Sequence, residues 1–241
     1  SPAACTTNSN YDLFVWDDSG TYRCTRGPAW SSDTARGTGA GTTELERVAG
    51  AYVNKIAITN GPAAQRGTYV GTIRTNGSSQ VDFILSGTAV AGGTAGFVGL
   101  CNAYNLVPWS IVVMDSTDSW SYTTTTIRQA NNSSTMRVSF VVADAGAFDS
   151  RATFISVSST TTSGARVGIG YDSTSTFSGA IGIFGASSGV VFPAIGSYGR
   201  QAALGFHYLA ALERGNTGVT FYGDNGTPND TQSGLIVSGM Y

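Results

Sequence analysis

The chain is 241 residues long, a length that suits one large all-β domain or one domain with a small lobe. Gly, Ser and Thr number 32, 28 and 30, and charged residues are only 12%. That composition excludes long helices and coiled coils, because Gly costs about 1 kcal/mol inside a helix and Ser and Thr are weak helix formers.

Alternation marks the strands. Tyr11-Asp12-Leu13-Phe14-Val15-Trp16 runs into the turn Asp17-Asp18-Ser19-Gly20, so 11–26 reads as a hairpin. The stretch 31–43 is a polar, glycine-rich loop; 44–53 is a short ordered stretch and 55–58 another strand. Asn60-Gly61-Pro62 is a turn. Residues 68–75 alternate, Asn76-Gly77 follows, and 80–85 alternates again, which predicts a second hairpin. Apolar residues three and four apart over 97–107 predict one short helix, stopped by Pro108. Further strands are predicted at 110–114, 120–128, 136–142, 151–158, 166–171, 189–192, 204–212, 219–222 and 235–238. Turn signals about every ten residues suit an antiparallel sandwich or jelly roll. The expected architecture is a small N-terminal β lobe over 1–66 for attachment, followed by a β-sandwich over 67–241.

The basic residues are 12 Arg and one Lys, Lys55, against 15 acids, and they form no stripe of the kind nucleic acid needs. The longest apolar run, 138–143, is far short of the ~20 residues that span a bilayer, so no membrane insertion is expected. The chain starts at Ser1 with no visible signal peptide, which implies that something was removed. Cys5, Cys24 and Cys101 with a single histidine, His207, fit no zinc pattern, and no metal or cofactor is expected. A Cys5–Cys24 bridge is open to a chain that matures outside the cytosol; the alternative is three small buried hydrophobes.

Little here points to chemistry. His207 lies in an alternating apolar strand, and no serine sits in a nucleophile elbow, so a structural histidine is expected. Asp224 to Asp230 has a calcium-loop look, but the twelfth position is Leu235, where an EF-hand needs Glu. Asp115-Ser116-Thr117-Asp118-Ser119-Trp120-Ser121 echoes Asp172-Ser173-Thr174-Ser175-Thr176-Phe177-Ser178, either as two strand-entry turns or as two equivalent ligand loops. Trp30, Asp115, Asp118, Trp120 and Asp172 are the candidate surface or glycan-binding residues, because Trp faces and carboxylates are what sugar sites use. Gly168-Ile169-Gly170 and Gly182-Ile183-Phe184-Gly185 mark bulges or close backbone approach.

The order of several segments resembles a family of uncharacterised structural proteins of tailed phages and prophages. They are Asn10-Tyr11-Asp12-Leu13-Phe14-Val15-Trp16, Gly27-Pro28-Ala29-Trp30 and Thr34-Ala35-Arg36-Gly37-Thr38-Gly39-Ala40-Gly41-Thr42-Thr43-Glu44-Leu45. Gly67-Thr68-Tyr69-Val70-Gly71-Thr72-Ile73-Arg74-Thr75, Asn102-Ala103-Tyr104-Asn105 and Asp115-Ser116-Thr117-Asp118-Ser119-Trp120 follow. Arg137-Val138-Ser139-Phe140, Gly168-Ile169-Gly170-Tyr171-Asp172-Ser173-Thr174 and Leu204-Gly205-Phe206-His207 complete the set. The chain departs where the family often has Trp-Asn before the Ala-Tyr-Asn and Arg after it; here stand Leu100-Cys101-Asn102 and Leu106. The resemblance implies a virion surface protein made in the host cytoplasm: a tail fibre, head fibre or capsid decoration, without catalytic residues. It implies a homotrimer contacting other virion proteins and a host cell-surface glycan, with the apolar glycine strands at 167–170 and 180–185 packed on identical copies. A carbohydrate-binding adhesin and a glycan-degrading enzyme are the rival readings.

Overall fold

The computed structural model describes residues 4–90, 93–143, 149–160, 164–183, 187–201, 203–226, 228 and 230–240, with backbone alone at 149–150, 156–160 and 187–190. Among the described residues the regular secondary structure is strand, apart from one 3-10 turn at Ala130–Asn132. No helix among them is long and apolar enough to cross a membrane.

Three sheets form. The first is antiparallel and contains β1 (Asn10–Asp18), β2 (Thr21–Ala29), β3 (Leu45–Val48), β4 (Ala51–Asn54) and β5 (Thr68–Arg74), in the order β2-β1-β5-β4-β3. The third contains β6 (Phe83–Ile84), β8 (Gly96–Val98), β12 (Arg128–Gln129), β13 (Arg137–Val142), β15 (Arg166–Tyr171), β16 (Gly182–Ile183) and β18 (Gly205–Arg214). The second contains β7 (Ser86–Thr88), β10 (Pro108–Met114), β11 (Ser119–Ser121), β14 (Asp149–Thr160), β17 (Ser187–Gln201), β19 (Thr220–Tyr222) and β20 (Gly234–Met240). One further strand, β9 (Leu100–Asn102), returns to pair with β5 of the first sheet.

The second and third sheets make the sandwich. Ile111, Phe154, Leu235 and Val237 from one meet Val138, Phe140, Ile169 and Leu209 from the other, all fully buried. Each such side chain contributes about 1.5–3 kcal/mol relative to exposure. The first sheet covers the far side of the third, where Phe14, Tyr69 and Cys101 pack on Val141 and Ala143. Strand β13 is therefore buried on both faces, and that is why Phe140, Val141 and Val142 are apolar in succession instead of alternating with polar residues.

The first hairpin forms as expected, with Ser19 (φ 55°) and Gly20 (φ 89°) in the positive-φ pair of a two-residue turn. Other expectations fail for physical reasons. Residues 55–58 are not a strand: the Asn54 amide donates to the carbonyls of Ile56 and Ala63 and folds the segment into a loop. The predicted hairpin of 68–75 with 80–85 is absent, because β1 and β9 flank β5 while β6 pairs with β8. The predicted helix over 97–107 is β8 and β9, and the long strand at 120–128 is only the short β11 and, beyond a loop, β12. A division at residue 66 does not match the sheets either, since β5 is central to the first sheet and β9 joins it.

None of the three cysteines is in a disulfide, and only Cys101 is buried; Cys24 is exposed on β2 opposite Val15, and the bridge to Cys5 does not form. The glycines of β15 are buried and serve close approach within the chain. A Cβ on Gly168 would stand 2.5 Å from the Phe177 ring, and one on Gly170 2.1 Å from the Ser173 carbonyl. Phe184 and Gly185 of the second glycine segment lie outside the described residues.

Candidate functional site

A buried charge sits where the first sheet meets the third. Asp12 in β1 is completely buried, and Arg36 from the glycine-rich loop reaches it with Nε to Oδ2 at 2.7 Å and Nη2 to Oδ1 at 3.3 Å. Thr72 donates to Oδ1 at 2.6 Å and Thr43 donates to Oδ2. Arg36 Nη2 also donates to the Ala143 carbonyl at 2.8 Å, so one guanidinium ties β1 to the end of β13. The guanidinium lies 4.5 Å over the Trp30 ring and 5.3 Å from that of Tyr69. Burial works against the Arg36 charge, but Asp12 and Tyr69 outweigh it and raise its pKa. Burial, then the Asp12 charge, pushes the Tyr69 phenol well up, so it stays protonated.

A cavity of about 430 Å³ opens beside this pair, lined among others by Arg36, Arg47, Tyr52, Tyr69, Asn102 and Tyr104. The Tyr52 ring meets Tyr69 edge-on at 6.5 Å, and Arg47 lies 4.6 Å over Tyr52. Tyr104 is 61% exposed at the rim. Its loop is fixed by Asn102, whose Oδ1 accepts the N–H groups of Tyr104 and Asn105 at 3.0 and 3.1 Å. Glu44 is the acidic residue of the lining. Its oxygens accept from Lys55 (2.6 Å) and the Gly39 N–H (3.0 Å), and those bonds hold its pKa low. No family model and no curated protein matches the chain.

The five residues expected to bind a surface or glycan are spread over all three sheets, and four of them are engaged by other parts of the chain. Trp30 is buried under Arg36 in the first sheet. Asp115, after β10 in the second, is fully buried and accepts from the Thr117 N–H and the Asn131 amide. Asp118 nearby is exposed. Trp120 stacks on Phe221 at 5.7 Å and donates to Glu213 Oε2 at 2.9 Å, so one face and its N–H are occupied. Asp172, after β15 in the third sheet, holds His207 Nδ1 at 2.7 Å and accepts the Tyr208 N–H at 2.9 Å. The echoed segments are thus different devices: an Asx turn at Asp115 and a cross-strand clasp at Asp172. His207 is 3% exposed, with the Ala203 carbonyl 3.0 Å from Nε2, a structural role. In the calcium-like loop, Asp224 accepts the Gly226 N–H, while Thr227 and Asn229 lie outside the described residues. Among the described residues no three His, Cys, Asp or Glu side chains group to hold a metal.

Sequence reasoning missed the cavity residues and Asp12–Arg36. One signal was present: Asp12 is a carboxylate inside an apolar strand, and buried carboxylates need a cation or donors.

A second feature is apolar. On the outer face of the second sheet the register places Ile195 opposite Ile155, and Ile236 opposite Val112. Met114 lies opposite Gly234 beside them. Ile195, Ile236 and Met114 are 53%, 41% and 47% exposed, so a stripe of large apolar side chains crosses four strands uncovered.

Proposed function

We propose that this protein is a bacteriophage-type virion surface component, a fibre, spike or capsid decoration, that acts by assembly and surface binding. The observation that carries the assembly half is the stripe of Ile195, Ile155, Ile236, Val112 and Met114. An apolar band on an otherwise Gly-, Ser- and Thr-rich chain lowers its free energy by covering itself, and identical copies in a closed ring cover it without leaving a free edge. A homotrimer is the assembly we propose. Four of the segments that carry the phage resemblance, those holding Asp12, Arg36, Tyr69 and Tyr104, converge on one seam, which supports reading them as a structural signature. The decisive experiment is immunogold electron microscopy of particles from the source organism. Label over the capsid or tail is expected, and its position separates decoration from fibre; unlabelled particles overturn the reading.

The adhesin reading keeps support from one observation, the tyrosine-lined cavity, which has the concavity and the mixed aromatic and polar lining of a small-ligand site. It is compatible with a virion location, since a surface component also meets host glycans.

A further inference from the structure

We propose that the cavity between the first and third sheets binds a sugar carrying a carboxylate, with Arg47 and Arg36 taking the acid group and Tyr52 and Tyr104 taking the ring. This deepens the surface-binding half of the reading above and rests on it.

The argument starts from donors and acceptors. Arg36 uses Nε and Nη2 on Asp12, Tyr69 and Ala143, and among the described residues Nη1 has no hydrogen-bond partner, on a residue that lines the cavity. Arg47 lies over the Tyr52 ring and makes no hydrogen bond or ion pair with the described residues. Asn102 has its oxygen taken by two backbone N–H groups, so its Nδ2 is the end left for a ligand. On the acceptor side, Glu44 is held by Lys55 and Gly39. The lining thus offers N–H groups in excess, and its ligand must bring oxygens. With Asp12 neutralising Arg36, and Lys55 neutralising Glu44, the unbalanced charge is the Arg47 cation, which selects an anion. A planar carboxylate matches the fork of a guanidinium through two parallel hydrogen bonds.

The walls select the rest of the molecule. Tyr52 stands edge-on to Tyr69, and Tyr104 is open at the rim, so flat apolar faces border the same space as the donors. A pyranose ring presents C–H groups to such faces and hydroxyls to the Asn102 amide and the tyrosine hydroxyls. A volume of about 430 Å³ falls in the usual range of roughly 300–1,000 Å³ for small-ligand pockets. Arg36 is locked by three partners before any ligand arrives, which lowers the ordering cost of binding.

The test is titration of the full chain with N-acetylneuraminate and with glucuronate, glucose serving as the neutral control, by calorimetry and saturation-transfer NMR. At least one acid is expected to bind, with glucose at least tenfold weaker. Arg47→Ala and Tyr104→Ala change exposed side chains, so both proteins should melt like the parent, and each should weaken acid binding at least tenfold. Arg47→Lys keeps the charge but loses the fork and should fall between parent and Arg47→Ala. Equal binding of glucose, unchanged binding in Arg47→Ala, or no binding of either acid overturns the assignment. Particle labelling without acid-sugar binding removes the cavity ligand alone. Acid-sugar binding without particle labelling removes the virion reading and leaves the cavity as an adhesin site.

Discussion

Arg36 and Asp12 form the hinge pin of the first sheet: Nε meets Oδ2 at 2.7 Å, with Asp12 near the start of β1 and Arg36 in a loop 24 residues later. The pair does two jobs. It holds the glycine-rich loop against the sheet, and through the Ala143 carbonyl it fastens that sheet to β13. A loop with glycines at positive φ, as at Gly37, Gly39 and Gly41, has no helix or ladder of its own to order it. Side-chain anchoring replaces them.

Arg36→Ala should therefore cost more than an average substitution. It strands a fully buried carboxylate, and breaking a buried pair in this way costs about 3–5 kcal/mol. Asp12 keeps its bonds from Thr43 and Thr72, which favours the lower end of that range. Urea denaturation of parent and variant measures the loss. A change below about 1 kcal/mol would show that the anchor is not structural.

How much of this could be read from the sequence depends on how local each interaction is. The β1–β2 hairpin was legible because its turn residues, Ser19 and Gly20, adjoin the strands they join. The same logic misled at Asn76-Gly77. There the turn closes on itself, with the Asn76 N–H donating to the Gln80 carbonyl and the Asn76 side chain accepting from Ser78 and Gln80. Meanwhile β5 is bordered by strands from 10–18 and 100–102, which no local pattern announces. The short β8 pairs in parallel with β13, so its partner is about 40 residues away, and spacing alone mistook it for helix. The cavity was invisible for the same reason: Arg47, Tyr52 and Tyr104 come from separate segments and meet only through the topology.

Two glycine substitutions should separate backbone freedom from crowding. Gly20 has φ of +89° and open space where a Cβ would go, so Gly20→Ala should cost about 1 kcal/mol, the conformational penalty alone. A Cβ on Gly196 would stand 2.4 Å from the Gly168 Cα and 3.0 Å from the Val167 carbonyl oxygen, backbone atoms that no rotamer change can move. Gly196→Ala should cost at least about 3 kcal/mol, the upper end of overpacking. Thermal melts of both variants decide it; equal losses would mean that β15 and β17 do not meet this closely.

The apolar stripe makes a prediction about assembly. Ile236 is 41% exposed between Thr153 and Val112, so Ile236→Asp should leave monomer stability within about 0.5 kcal/mol. It should dissociate the proposed oligomer, because a carboxylate would be buried in the contact without a partner. Sedimentation velocity on both proteins at tens of micromolar shows the outcome. A parent that sediments as a monomer there removes this face as the assembly surface.

Glu213 gives the clearest pH signature. It closes β18 inside the protein, fully buried, holding Arg128 Nε at 2.8 Å and Trp120 Nε1 at 2.9 Å. Burial raises its pKa above the ordinary 4.5, and Arg128 and Trp120 offset only part of the rise. The folded state thus takes up the proton before the unfolded state does as pH falls. Stability from this group is fully present below 4.5 and is lost as pH rises through the raised value. Glu213→Gln keeps an acceptor for one donor and does not titrate. Subtracting the denaturation free energies of the two proteins cancels every other acid common to both. The difference should move in favour of the parent as pH is lowered toward 4.5, and in favour of Gln above the raised value. A flat difference, or one of opposite sign, would mean that Arg128 outweighs burial and that the pair behaves as an ordinary stabilising salt bridge.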